Sequence, residues 1–115
     1  MEDVMKLAIA KNNDRVHEFF GSCNEFVLVD IVDGKVISTD EIFNDVETHK
    51  LRPKYLKSLG VNALVIKGLG LTAYELLKEN GIELYTSEPN LIEEAIHAYL
   101  NNELKLMDVP AGAHC

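Results

Sequence analysis

Tryptophan is absent from this 115-residue chain, proline occurs three times and cysteine twice. Two cysteines, Cys23 and the final residue Cys115, cannot build the disulfide framework that small secreted domains need, and both are read as thiols. Basic side chains are also scarce: 11 Lys and Arg face 19 Asp and Glu, a formal charge of -8. They are scattered singly apart from a loose group at Lys50 to Lys57, read as a solvated helix face. Without a basic stripe an acidic chain repels a phosphate backbone, so nucleic acid is not an expected partner. No run approaches the ~18 apolar residues that a membrane span requires, and the opening "MEDVMKLAIAK" is too short and too acidic for a secretory signal. A cytoplasmic, soluble protein with no membrane partner is expected. No four Cys and His have structural-zinc spacing, no G-K-[ST] completes a P-loop, and no nucleophile is suggested with a base beside it. Catalysis is not expected.

What is present is enough for one core: 47% of the residues are hydrophobic, and the length fits a single domain. "VMKLAIA" (4–10) and "NEFVLVDIV" (24–32) read as buried strands, the second nearly continuous in apolar residues. Asp33-Gly34 then joins the second to "KVISTDEIF" as a two-residue hairpin, because both turn positions call for positive φ. Pro53 near the first turn and Gly60 at the end delimit a short helix, followed by the strand "NALVI". A second helix, with Ala73, Leu76 and Leu77 on one side, stops at Asn80-Gly81 and leads into "IELY". Asn90 with Glu93 resembles a capping box for a last helix with an apolar stripe from Leu91 to Leu100, leaving His97 facing solvent. The order β-β-β-α-β-α-β-α predicts an α/β fold, a three-layer α/β/α domain. Its mixed five-stranded sheet has order 3-2-1-4-5 with strand 2 antiparallel, over residues 1–104, and residues 105–115 form a flexible tail.

Gly68, Gly70 and Ala73 in "VIKGLGLTAYELLKENGIELY" are spaced as G-x-G-x-x-A. A dinucleotide fingerprint would also want an acidic residue about 20 positions on, and Glu88 stands 18 after Gly70. Only about 27 residues follow Glu88, too few for a second mononucleotide half or a substrate domain, so no nucleotide is expected. Two readings remain: a sharp β-to-α turn serving packing alone, or a helix start whose free amides meet an anion. A two-metal nuclease would need carboxylates on the first strand, which has none; Asp30, Asp33 and Asp40 belong to the hairpin and are read as solvent-facing or turn residues.

Taken together, "VHEFFGSCNEFVLVDIVDGKV", His49, "LKSLGVNALVIKGLGLTAYELLKENGIELYTS" and "NLIEEAIHAYLNNEL" resemble the dinitrogenase iron-molybdenum cofactor biosynthesis family. That family comprises NifX- and NafY-type proteins, the C-terminal domain of NifB and small stand-alone relatives. The most specific parts are Phe20, Gly21 and Phe26 in an F-G-x-x-x-x-F segment, the G-x-G turn with its helix, and the E-E-A helix. The resemblance implies a ribonuclease-H-like domain without nuclease activity that carries or stores an iron-sulfur or iron-molybdenum type cluster near the first loop and the glycine turn. Phe20, Gly21, Gly68, Leu69 and Gly70 would then line the pocket, and Cys23, His49 and Cys115 would supply metal contacts. Cofactor-assembly proteins would be partners, with the chain a monomer or homodimer.

One departure matters. Where many relatives read S-E-H-F-G, this chain reads His17-Glu18-Phe19-Phe20-Gly21, so Phe19 stands in place of a candidate histidine ligand and cannot ligate. Cys23 is a soft thiolate nearby, or a small core residue; His17 is a second donor, or a polar surface residue. Two other function classes follow from the same residues: a cluster-free regulatory or interaction module, and a small-anion or nucleotide binder using the glycine turn alone.

Overall fold

The computed structural model describes residues 4–17, 25–43, 52–68, 71–86 and 91–106. Its elements run β1 (Met5–Asn12), β2 (Arg15–Val16), β3 (Glu25–Val32), β4 (Lys35–Phe43), α1 (Arg52–Ser58), β5 (Ala63–Val65), α2 (Leu71–Glu79), β6 (Glu83–Thr86), α3 (Ile92–Leu100) and β7 (Lys105–Leu106). The sheet order is β4-β3-β1-β5-β6-β7, with β2 paired to β1. β1 pairs parallel with β5, and β5 with β6, while β3 is antiparallel to both β1 and β4.

The five strands expected from the sequence are therefore all present, but among the described residues the sheet has seven. β2 and β7 are two residues each, too short to show a period, and both pair antiparallel. Lys105 and Leu106, read from sequence as the start of the tail, are β7; Leu106 lies opposite Tyr85.

β1 occupies the middle of the sheet, and Leu7, Ala8, Ile9 and Ala10 are all 0% exposed. The strand period sorts them. Ala8 and Ala10 join Phe26, Leu28, Leu64 and Leu84 beneath α1 (Leu56) and α2 (Ala73, Leu77). Leu7 and Ile9 join Val27, Val29, Ala63 and Val65 beneath α3 (Ile92, Ala95) on the other face. A strand covered on both faces must be apolar throughout, hence the unbroken "LAIA". The three-layer expectation holds, with two helices on one face and one on the other.

All three helices end alike. Gly81 N–H donates to the Lys78 carbonyl at 3.0 Å and Ile82 N–H to Leu77 at 3.0 Å, with Gly81 at φ 75°. This pair of bonds satisfies the last carbonyls and requires a left-handed residue. Asn102 at φ 58° fills the same place after α3. The start of α3 differs from its expected form by one residue. Its N-cap is Leu91, whose side chain has no acceptor; the Glu94 carboxylate, not Glu93, accepts from Leu91 N–H at 3.4 Å. Ile92 N–H is satisfied by the Asp14 carbonyl at 3.0 Å, so the β1–β2 turn and not a side chain anchors the helix. Asn90 lies outside the described residues.

The hairpin turn has the expected form, Asp33 and Gly34 both at positive φ (52° and 75°). Asp30, however, is not a free surface carboxylate: it lies 3.8 Å from Lys6 Nζ and accepts from Ser38 Oγ at 2.8 Å, with 26% of its side chain exposed. Asp33 and Asp40 are exposed, as expected.

Candidate functional site

The carboxyl ends of β1 and β5 define one end of the sheet, and the described chain shows what meets there. β1 turns back through Asn13, at φ 59°, into β2, which pairs Lys11 with Val16 and Asn12 with Arg15. His17 extends this return, its N–H donating to the Ala10 carbonyl at 2.8 Å. The His17 carbonyl in turn accepts from Lys67 N–H at 3.5 Å. His17 is the last described residue before the first loop, and Lys67 immediately precedes Gly68 of the glycine turn. The backbone thus ties the entrance of one predicted site segment to the entrance of the other.

The far side of the first loop returns to the same end. Glu25 opens β3 opposite Lys11, and Phe43, from which the chain leaves toward His49, lies opposite Glu25. The three sequence regions singled out for ligand binding, separated by up to about 50 positions, therefore spring from neighbouring strand ends. This is where open α/β sheets hold ligands, because strand ends next to one another in the sheet release loops that diverge around a shared crevice.

Of the predicted site residues, Gly68 is described: it is buried, three positions beyond the last residue of β5. Phe20, Gly21, Cys23, His49, Leu69, Gly70 and Cys115 lie outside the described residues, as do Phe19 and His114. At Leu106 the chain is antiparallel to β6, so it points away from the end of the sheet that carries the other regions. His97 is exposed on α3, as expected. Among the described residues no group of three or more His, Cys, Asp or Glu has an arrangement that could hold a metal ion, and no helix is long and apolar enough to cross a membrane.

Sequence reading passed over Lys11. Strand alternation puts it on the α3 face with Leu7 and Ile9, next to the last residue of β1, and its Nζ sits 3.0 Å from Glu41 and 3.4 Å from Glu25. Its side chain is 15% exposed. The hydrogen bond to Glu41 is the main cause holding its pKa above the ordinary lysine value, ahead of the opposing effect of burial and the smaller contribution of Glu25. The ammonium staples three neighbouring strands at the mouth of the candidate site, and its charge is already matched by two carboxylates. A lysine ending an apolar strand, with carboxylates in register on the strands beyond, was the available signal; only the register identifies the partners.

Comparison with known proteins agrees with this architecture. Two uncharacterised proteins of Methanocaldococcus jannaschii align over nearly the whole chain. One is 29% identical over 107 residues, covering 89% of this chain and 91% of the relative. The other is 32% identical over 106 residues, covering 92% and 97%. The crystal structure of the second, described as that of a dinitrogenase-type protein, superposes with a TM-score of 0.81, covering 94% of this chain and 99% of that one. The orange protein of Desulfovibrio gigas, 17% identical, shares the fold at a TM-score of 0.77 over 96% of this chain and 98% of its own. Residues 4–102 match the dinitrogenase iron-molybdenum cofactor family across every described element but β7, and the chain belongs to that family.

Proposed function

We propose that this protein binds and carries, without turnover, an iron-sulfur or iron-molybdenum type cluster or its precursor on a ribonuclease-H-like scaffold in the cytoplasm. The observation that carries the reading is the bond from Lys67 N–H to the His17 carbonyl. It ties the residue before the segment that holds Cys23 to the residue before the turn that opens at Gly68, at strand ends of the kind where ligand crevices form. Membership of the cofactor family supports the nature of the cargo. The chemistry is consistent with it: Cys23 offers a thiolate and His49 an imidazole, both suited to iron, while successive amides at a glycine turn favour an anionic sulfide cage. Few protein donors per cluster make for labile binding, which suits a carrier that must hand its cargo to an assembly protein.

The test is anaerobic reconstitution with iron and sulfide, followed by metal analysis and a visible spectrum, on the wild type, Cys23→Ala and His49→Ala. Stoichiometric iron and a thiolate-to-iron absorption band, both weakened in the variants, are expected. A colourless, metal-free wild type, together with failure to take up a preassembled cluster, would leave the second reading. That reading is a protein-interaction module of the same fold, and Phe19 at the place of the family histidine is the observation that favours it.

A further inference from the structure

β4 is an edge strand of nine residues whose one strand partner, among the described residues, is β3. Eight of its residues are exposed, among them Ile37 at 59% and Phe43 at 65%. Long exposed edges are normally shortened, bulged or covered, because their unpaired N–H and C=O groups invite another strand. Here the bulge lies toward the hairpin, between Asp30 and Ile31 of β3, and the stretch from Ser38 to Phe43 runs on in unbroken register. Beside that stretch, on the α3 face, lies a groove of about 610 Å³ between β4 and the first turns of α3.

The groove has an apolar floor and an acidic rim. Val27, Ile92 and Ile96 form the floor, and Leu91, 39% exposed, stands at its edge. Leucine is a poor residue for a helix N-cap, and here it forgoes a side-chain cap while showing its methyl groups to the groove. Asp14, Glu41 and Glu93 form the rim, three carboxylates against the single ammonium of Lys11. Lys11 is itself engaged by Glu25 and Glu41, so it lends the groove little positive potential.

We propose that this groove and the β4 edge together dock an extended basic segment of a partner protein. The backbone edge selects an extended chain, by adding it as a strand. The carboxylate rim selects lysine or arginine and repels acidic chains, including a second copy of this protein at charge -8. The apolar floor takes an aliphatic side chain between the basic ones. Because Lys11 lines this groove and also stands at the strand ends of the candidate site, a docked partner would stand next to that site. The inference does not depend on what the site carries.

The probe is a blocked peptide of alternating lysine and leucine, about ten residues long, the span of one strand, titrated into isotope-labelled full-length protein in low and moderate salt. Expected are shift changes concentrated at Thr39 to Phe43 and the first turn of α3. Affinity should fall at least about tenfold in Glu41→Gln/Glu93→Gln. A control, Glu75→Gln/Glu79→Gln, removes the same charge from exposed positions of α2 across the sheet and should change affinity less than about twofold. Replacing the peptide's leucines with serine, or Leu91 with serine, should also weaken binding. Circular dichroism of each variant checks the fold. Equal loss in both charge variants, shifts spread over the acidic surface, no saturable binding at all, or a wild-type dimer through β4 in light scattering would each overturn the proposal.

Discussion

Phe26→Ala is the perturbation whose size the structure fixes best. Phe26 is 0% exposed and packs in the core beneath α1 and α2, with Ile42 of β4 directly opposite it. Removing a fully buried ring loses its transfer free energy and leaves a cavity that central strands cannot close, a cost of about 3–5 kcal/mol. A domain of this size is stable by roughly 5–15 kcal/mol, so the variant should survive but near its margin. Its melting temperature should fall by roughly 10–25 °C, and its urea midpoint by about 2 M. The matched control is Phe43→Ala, whose ring is 65% exposed and should cost within about 0.5 kcal/mol. Urea unfolding followed by far-ultraviolet circular dichroism compares the two. A loss under about 1 kcal/mol at Phe26, or a larger loss at Phe43, would refute the assignment of Phe26 to the core. The result bears on function, because Phe26 closes the F-G-x-x-x-x-F segment beside the first loop. If it acts by packing, the smaller but apolar Phe26→Leu should cost less than Phe26→Ala and load as much iron as the wild type in the reconstitution above.

Gly81→Ala should cost about 1 kcal/mol, because φ is 75° while the added methyl would meet nothing nearer than Lys57 Nζ at 3.7 Å; chemical denaturation measures it. Burial pushes the Tyr99 hydroxyl up to about 12, aided by the nearby Tyr85 and Glu83. A raised phenol pKa gives stability that is complete below about 10 and lost as pH climbs through about 12, so absorbance titration should show one tyrosine resisting ionisation, and Tyr99→Phe should remove that late step. Asp30→Asn should cost about 1 kcal/mol by weakening the Lys6 pair and the Ser38 bond, and Lys6→Met should then add little more in a double-mutant cycle.

How far the residues speak for themselves varies by element. "LAIA" and "FVLV" announce buried strands because no polar side chain interrupts them, and Asp33-Gly34 announces its turn because few residue pairs tolerate two positive φ values. Gly60 and Gly81 mark helix ends for the same steric reason. β2 and β7 carry no such mark, since two residues have no period and their pairing rests on where β1 and β6 lie. Asp30 read as a surface residue because its neighbours in sequence are hairpin residues; its partners, Lys6 and Ser38, come from adjacent strands. The cap of α3 was displaced by one position because its first amide is satisfied by Asp14, about 80 residues earlier, instead of a local side chain.

For the site, the residue types on offer are legible in the sequence: cysteines at 23 and 115, an imidazole at His49, glycines at 68 and 70, and an acidic net charge of -8. Sequence by itself also determined the layer architecture, because hydrophobic period and turn chemistry are local properties. Tertiary pairing alone ties His17, just before the first loop, to Lys67, just before the glycine turn. That nearness depends on β1 and β5 lying side by side, more than 50 residues apart in the chain, and on the β2 return that carries His17 to Lys67. Tertiary structure likewise decided that Lys11 is neutralised by Glu25 and Glu41, and that an acidic groove opens along β4, since charges on different strands meet only when the sheet sets their register.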